Sequence, residues 1–330
     1  MKGVLLVTGG AGYVGSHCCR AFAEAGWRVV VFDNLSRGWR DFVRWGDLIV
    51  GDLRDADAIR SAIDAVKPDL VVHFAALAYV GESVSEPALY YENNVCGTLN
   101  LLEAMRAAEV AKIVFSSTCA TYGVPVQIPI DEQHPQAPIN PYGRSKLMVE
   151  HLLTDYSAAY GLKHVALRYF NAAGADASGL IGERHEPETH VIPLAIKAAM
   201  RGDDSFHIFG GAFDTRDGTA LRDYVHVMDL ADAHRRAVDY LEGGGSPTAI
   251  NLGTGVGTTV AEIADAVERV GDRPLKRIMS DPRAGDPPAL VAAASKARDI
   301  LGWEPAHSNI DYIIRTAWRW HELDLPTDLA

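Results

Sequence analysis

The sequence predicts an α/β chain built on a doubly wound parallel sheet, with a smaller α/β part after it. Three observations predict this. An apolar run, Val4–Val7, leads into Thr8-Gly9-Gly10-Ala11-Gly12-Tyr13-Val14-Gly15, and a second, Arg28–Phe32, ends on Asp33. Beyond Asp33, short apolar runs keep alternating with amphipathic stretches, the pattern of strands joined by crossover helices.

The first element is a Rossmann-type βαβ unit. Gly10, Gly12 and Gly15 satisfy G-x-G-x-x-G, and Gly9, Gly12 and Gly15 satisfy a wider variant. Such spacing lets the backbone turn tightly and approach a pyrophosphate at a helix N-terminus. A helix is expected over Ser16–Ala25, stopped by Gly26. Asp33, at the end of the second strand, stands where a carboxylate accepts hydrogen bonds from an adenosine ribose. A 2′-phosphate there meets like charge at a cost of about 1–4 kcal/mol, which favours NAD over NADP, although Arg37 and Arg40 are near in sequence.

Further strands are expected at Leu48–Val50, Leu70–Phe74, Ile113–Ser116, His164–Phe170 and Ala249–Leu252. In a parallel sheet their C-terminal ends share one edge, so Asp52, Phe74-Ala75-Ala76, Ser116-Ser117-Thr118 and Asn171 should line one crevice. Val124–Pro141, rich in proline, reads as an ordered loop. After Asn171 the periodicity becomes irregular, with glycines thickening across Gly202–Gly218 and a proline-rich turn at Asp281–Pro288. Residues 1–171, joined by 222–253, are therefore expected to bind the dinucleotide, and 172–221 with 254–330 to form a substrate part.

Composition excludes other classes. The 330 residues carry a net charge of −12 and no basic run interleaved with aromatics, which argues against nucleic acid. Cys18, Cys19, Cys96 and Cys119 have neither metal-ligand spacing nor disulfide-scaffold density, so no metal is expected and a reducing cytoplasm is. No run approaches the ~20 apolar residues of a membrane span.

Tyr142-Gly-Arg-Ser-Lys146 opens a helix, with Pro141 suited to its first turn, and sets a phenol and an ammonium at i and i+4. Ionising a free tyrosine at pH 7 costs roughly 4 kcal/mol, which a lysine and a cationic nicotinamide ring together largely offset. Tyr142 is thus the candidate general base towards a substrate hydroxyl. The bland reading is a half-buried aromatic beside a solvated lysine.

With these segments in place, the chain resembles the extended short-chain dehydrogenase/reductases and, within them, the UDP-galactose 4-epimerases. Matching segments include Gly51-Asp52-Leu53, His73–Ala76, Val80–Ser83, Asn93-Asn94-Val95, Tyr122-Gly123, Arg168–Asn171, Arg222–Val227 and Asn251-Leu252-Gly253. The resemblance implies held NAD and catalysis by Tyr142, Lys146 and Thr118. Tyr142 would take the sugar 4-hydroxyl proton, and a transient 4-keto sugar would rotate and be re-reduced on its other face. It also implies cofactor contacts from Gly9, Gly12, Tyr13, Val14, Gly15, Asp33, Asn34, Asp52, Leu53, Phe74, Ala75, Ala76, Asn94, Ser116, Lys146 and Tyr169. Asn171, His190, Val191, Phe209, Arg222 and Arg283 would hold the UDP portion, and a homodimer is implied through Pro87–Ala107 and Pro141–Tyr160.

Two departures stand out. Ala78 occupies the place of a lysine that reaches the cofactor pyrophosphate in many relatives, which leaves more of that binding to the helix N-terminus. Leu290 stands where some relatives set a tyrosine over the sugar 2-substituent. A dehydratase would want an acid pair after Thr118, and Cys119-Ala120 follow instead. A 4-epimerase of UDP-N-acetylhexosamine, UDP-glucuronate or a UDP-pentose stays open. A non-catalytic dinucleotide sensor would typically have lost Tyr142 or Lys146.

Overall fold

The computed structural model describes residues 2–202, 204–282 and 286–324. In chain order the first strands are β1 (Val4–Thr8), β2 (Arg28–Asp33), β3 (Asp47–Val50), β4 (Leu70–His73), β5 (Lys112–Thr118) and β6 (Lys163–Tyr169). β7 (Asn171–Ala173), β8 (Phe206–Phe209), β9 (Leu221–Arg222) and β10 (Tyr224–His226) precede β11 (Thr248–Leu252). β12 (Thr258–Thr259), β13 (Arg277–Ser280) and β14 (Ala289–Leu290) follow.

Seven strands form one sheet in the order β11-β6-β5-β4-β1-β2-β3, every neighbouring pair parallel. The order reverses between β1 and β4, which opens a crevice at the carboxyl edge. The expected strands all belong to this sheet, and the structure moves their boundaries by only a few residues.

Helices cover both faces. On one side α1 (Tyr13–Glu24) packs with a helix over Val227–Glu242, burying Cys18, Phe22, Leu230 and Ala233 against Val7, Val31 and Val72. On the other side lie α2 (Ala56–Val66), α3 (Val80–Ser85), α4 (Pro87–Tyr90), α5 (Gly97–Ala107) and α6 (Pro141–Tyr160). Here Ile59, Leu102 and Val149 pack against Leu6, Val71 and Phe115. Strands buried on both faces need near-continuous apolar runs, as β1, β2 and β4 have. A π-helical stretch, Tyr91–Cys96, joins α4 to α5.

The region after Asn171 is more regular than its sequence suggested. It holds α7 (Val191–Arg201), α8 (Val227–Glu242), α9 (Val260–Gly271), α10 (Ser295–Leu301) and α11 (Ile310–Asp324). α7, α9 and α11 share a separate core with Phe206, Ile208, Tyr224 and Trp318. Long glycine-rich connections masked the 3.6-residue period. Three of the four cysteines are buried and Cys96 is exposed; all are unpaired. Among the described residues, no helix is long and apolar enough to cross a membrane.

Candidate active site

A cleft of ≈ 610 Å³ runs along the carboxyl edge of the sheet, from the β1–α1 turn to β9 and β14. α1 begins with Gly12 as its N-cap and no side-chain cap, so its first amide groups meet the cleft at the positive end of the helix dipole. Two glycines here are demanded by the protein. Gly9 has φ +75°, and a Cβ on it would lie 2.4 Å from the Ala75 amide nitrogen; one on Gly15 would lie 2.3 Å from the Gly9 carbonyl oxygen. At Gly12 the nearest atom to a Cβ is Gly9 O at 3.4 Å, so the protein leaves room there. A pyrophosphate lying against this backbone fits that space and the uncapped amides.

Asp33 is 7% exposed and accepts hydrogen bonds from the amides of Ala11 at 3.0 Å and Leu35 at 2.8 Å. Burial raises its pKa while those bonds oppose the rise. Asn34 donates to Asp52 at 2.9 Å, and the Arg54 side chain holds the same carboxylate well below the usual range. Arg37 pairs with Glu82 at 2.5 Å and lies over the Tyr79 ring. Its charge is thereby balanced within the protein.

Asn140 caps α6 by accepting from the Gly143 amide at 2.8 Å, with Pro141 in the first turn. A Cβ on Gly143 would stand 2.5 Å from Ala120 O, so only glycine lets α6 approach the turn after β5 this closely. That approach sets Tyr142 beside Thr118 on the cleft wall. Burial pushes the Tyr142 phenol well above its usual pKa, Tyr169 adds to the rise, and the Thr118 hydroxyl opposes it. Lys146 is 3% exposed and lies behind the wall rather than in it. Its Nζ donates to Ser116 O at 2.8 Å and sits 4.8 Å from the centre of the Phe115 ring. Burial brings Lys146 down to about 7 against the opposing charge of Glu150.

The cleft gathers most of the expected residues: Gly9, Gly12–Gly15, Asp33, Asn34, Asp52, Leu53, Phe74–Ala76, Thr118, Tyr142, Tyr169, Asn171, His190, Val191, Arg222 and Leu290. Others stand elsewhere. Asn94 is buried and spends its amide on the backbone of Leu77 and on Ser145 Oγ, bracing the wall from behind. Ser116 bonds the Tyr169 hydroxyl at 2.8 Å, and Ser117 turns away to Glu150, so neither lines the crevice as expected. Phe209 closes β8 outside the cleft lining, and Arg283 lies outside the described residues.

Arg222 does not pair with Asp223. Its Nη1 donates to Leu221 O at 2.9 Å, while the Asp223 carboxylate takes the amides of Thr254, Gly255 and Ala292. The cleft also includes Tyr79, Glu183, His185 and Tyr224, which the sequence reading passed over. Glu183-x-His185-x-x-Glu188-x-His190 was the visible signal. Burial works against a proton on His185, yet Glu183 and Glu188 raise it to about 9.

Residues 5–253 match the model of the NAD dependent epimerase/dehydratase family. The chain is 56% identical over 317 residues to a UDP-glucose 4-epimerase of Rhizobium meliloti (strain 1021), covering 96% of each protein. It superposes on a UDP-glucose 4-epimerase from Brucella ovis in complex with NAD at a TM-score of 0.93, with 51% identity over 96% of this chain and 97% of that one. A Stenotrophomonas maltophila UDP-glucose-4-epimerase with bound NAD and formylated UDP-arabinopyranose gives a TM-score of 0.94 at 36% identity, covering 97% of this chain and 98% of that one. With a glycine turn, an uncapped helix start and a Tyr142–Thr118 pair in one cleft, the chain belongs to the NAD dependent epimerase/dehydratase family.

Proposed function

We propose that the chain interconverts UDP-galactose and UDP-glucose by transient NAD-dependent oxidation at sugar C4. The observation that carries this is that Tyr142 and Thr118 line a single cleft together with the α1 N-terminus and Arg222. Bound NAD supplies the hydride acceptor and donor. Gly12–Gly15 at the α1 N-terminus would hold its pyrophosphate, and Asp33 would hold its adenosine ribose. Tyr142 takes the proton of the 4-hydroxyl, and Thr118 orients that oxygen. Arg222, which pairs with no carboxylate among the described residues, faces the diphosphate of UDP, with Asn171, His190 and Val191 beside it.

A nicotinamide ring held in the cleft would supply a cation opposing the burial that raises the Tyr142 pKa, with Lys146 standing behind the wall on Ser116 O. Residues 1–171 with 222–253 serve the dinucleotide, and 172–221 with 254–330 the UDP-sugar. The protein works as a cytoplasmic homodimer. Apolar side chains left exposed on α5 and α6, namely Leu99, Met148 and Tyr160, support pairing through these helices.

Turnover of UDP-galactose, UDP-N-acetylgalactosamine, UDP-glucuronate and UDP-arabinose by the purified protein tests the reading. UDP-galactose should give the highest kcat/KM. A chain that turns over only one of the other three has a different substrate.

A further inference from the structure

The fold gathers Glu183, His185, Glu188 and His190 into a knot between β7 and α7, with one ligand atom from each all lying within 4.8 Å of one another. We propose that this knot is a site for one divalent transition-metal ion of the zinc type. The cysteines, which offer no metal-ligand spacing, take no part in it; the donor set is two imidazoles and two carboxylates.

The spacing is that of ligands around a shared centre. Bonds of 2.0–2.2 Å to a tetrahedral ion put neighbouring ligand atoms about 3.3 Å apart. His185 Nδ1 lies 3.3 Å from Glu183 Oε1 and 3.6 Å from Glu188 Oε1 without a hydrogen bond to either. His190 Nδ1 is in direct hydrogen-bond contact with the same Glu183 oxygen, a contact that would open to admit the ion. Glu188 Oε2 is buried with no hydrogen-bond partner, and Lys197 Nζ stands at 3.9 Å, beyond hydrogen-bond reach.

The surroundings are built to hold such ligands. Glu183 and Glu188 side chains are only 4% and 6% exposed. The amides of Thr189 and His190 fix Glu188 Oε1 at 2.8 and 2.9 Å, and the rings of Tyr13 and Tyr79 meet His185 edge-on. Such outer contacts orient ligating side chains. His190, half-exposed, leaves an entry path, and the two carboxylates balance a dication.

Zinc alone, added to chelator-treated full-length protein and followed by equilibrium dialysis, tests this without reference to turnover. One ion per chain should be retained, with at least a hundredfold weaker retention in His185→Ala and Glu188→Gln and none in the double variant. Zinc should also raise the Tm of the unaltered chain and leave that of the double variant unchanged. Cobalt(II) in the unaltered chain should give the intense visible bands of a four-coordinate ion, a readout that stands if a variant fails to fold. Zinc uptake equal in the unaltered chain and the double variant, or the weak spectrum of six-coordinate cobalt, overturns the proposal.

Discussion

Arg168 on β6 and Glu150 on α6 form an ion pair at 2.5 Å, each side chain 7% exposed, one helical turn from Lys146. Glu150 also accepts from Ser117 Oγ at 2.5 Å, and Arg168 donates to the Tyr122 hydroxyl, which bonds Asn251. Sheet, helix and the loop after β5 are thus tied through one buried network next to Lys146.

Removing one partner leaves the other charge buried and alone. Glu150→Ala should cost about 3–5 kcal/mol of stability, read as a fall in the denaturant midpoint. Arg168→Met together with Glu150→Leu should recover much of that loss. A loss below about 1 kcal/mol in Glu150→Ala would show that solvent reaches the pair.

Lys146 gives a pH dependence of known sign. Its folded pKa is depressed to about 7, below the ordinary lysine value, so between pH 7 and about 10.4 the unfolded chain binds more protons than the folded one. Stability should rise with pH over that window. Lys146→Met removes this contribution, so the Tm difference, unaltered chain minus variant, should move upward from pH 7 to 10. A constant difference would mean that Lys146 titrates normally.

Tyr142→Phe should lower turnover of UDP-galactose by roughly two to four orders of magnitude while folding and NAD binding persist. Near-normal turnover would remove Tyr142 from the role of base.

The glycines should separate folding from cofactor binding. Gly9→Ala meets backbone at 2.4 Å in a left-handed conformation and should destabilise the fold by more than 1 kcal/mol. Gly12→Ala has 3.4 Å of clearance, so Tm without cofactor should change little while NAD affinity falls at least tenfold. Equal NAD affinity in Gly12→Ala and the unaltered chain would place the pyrophosphate elsewhere.

Leu290 lines the cleft and packs on the small core of Cys119, Tyr122, Ile130, Phe170 and Ala292. Residual crowding at the sugar 2-position of about 1–3 kcal/mol should make N-acetylated substrates roughly ten- to a hundredfold poorer than UDP-galactose. Leu290→Ser should raise kcat/KM for UDP-N-acetylgalactosamine and Leu290→Tyr should lower it. Equal values in the two variants would show that Leu290 does not gate the pocket.

By itself the sequence determined the parallel sheet, the glycine turn, Asp33, and the Tyr142 helix, because each is a local pattern: an apolar run, a turn requiring glycine, a cap with a following proline. The tertiary structure decided how side chains from distant segments divide their partners. Lys146 faces Ser116 O because burial leaves its ammionium group few acceptors, and Asn94 braces Leu77 where a cofactor contact was expected. Arg222 and Asp223, adjacent in the chain, have different partners: Arg222 closes β9 on the cleft, whereas Asp223, between β9 and β10, takes the amides of Thr254, Gly255 and Ala292. The Glu183–His190 knot is likewise tertiary: spacing of two to three residues in a loop does not fix whether four side chains converge, and here Tyr13 and Tyr79 pack on His185 while the amides of Thr189 and His190 hold Glu188.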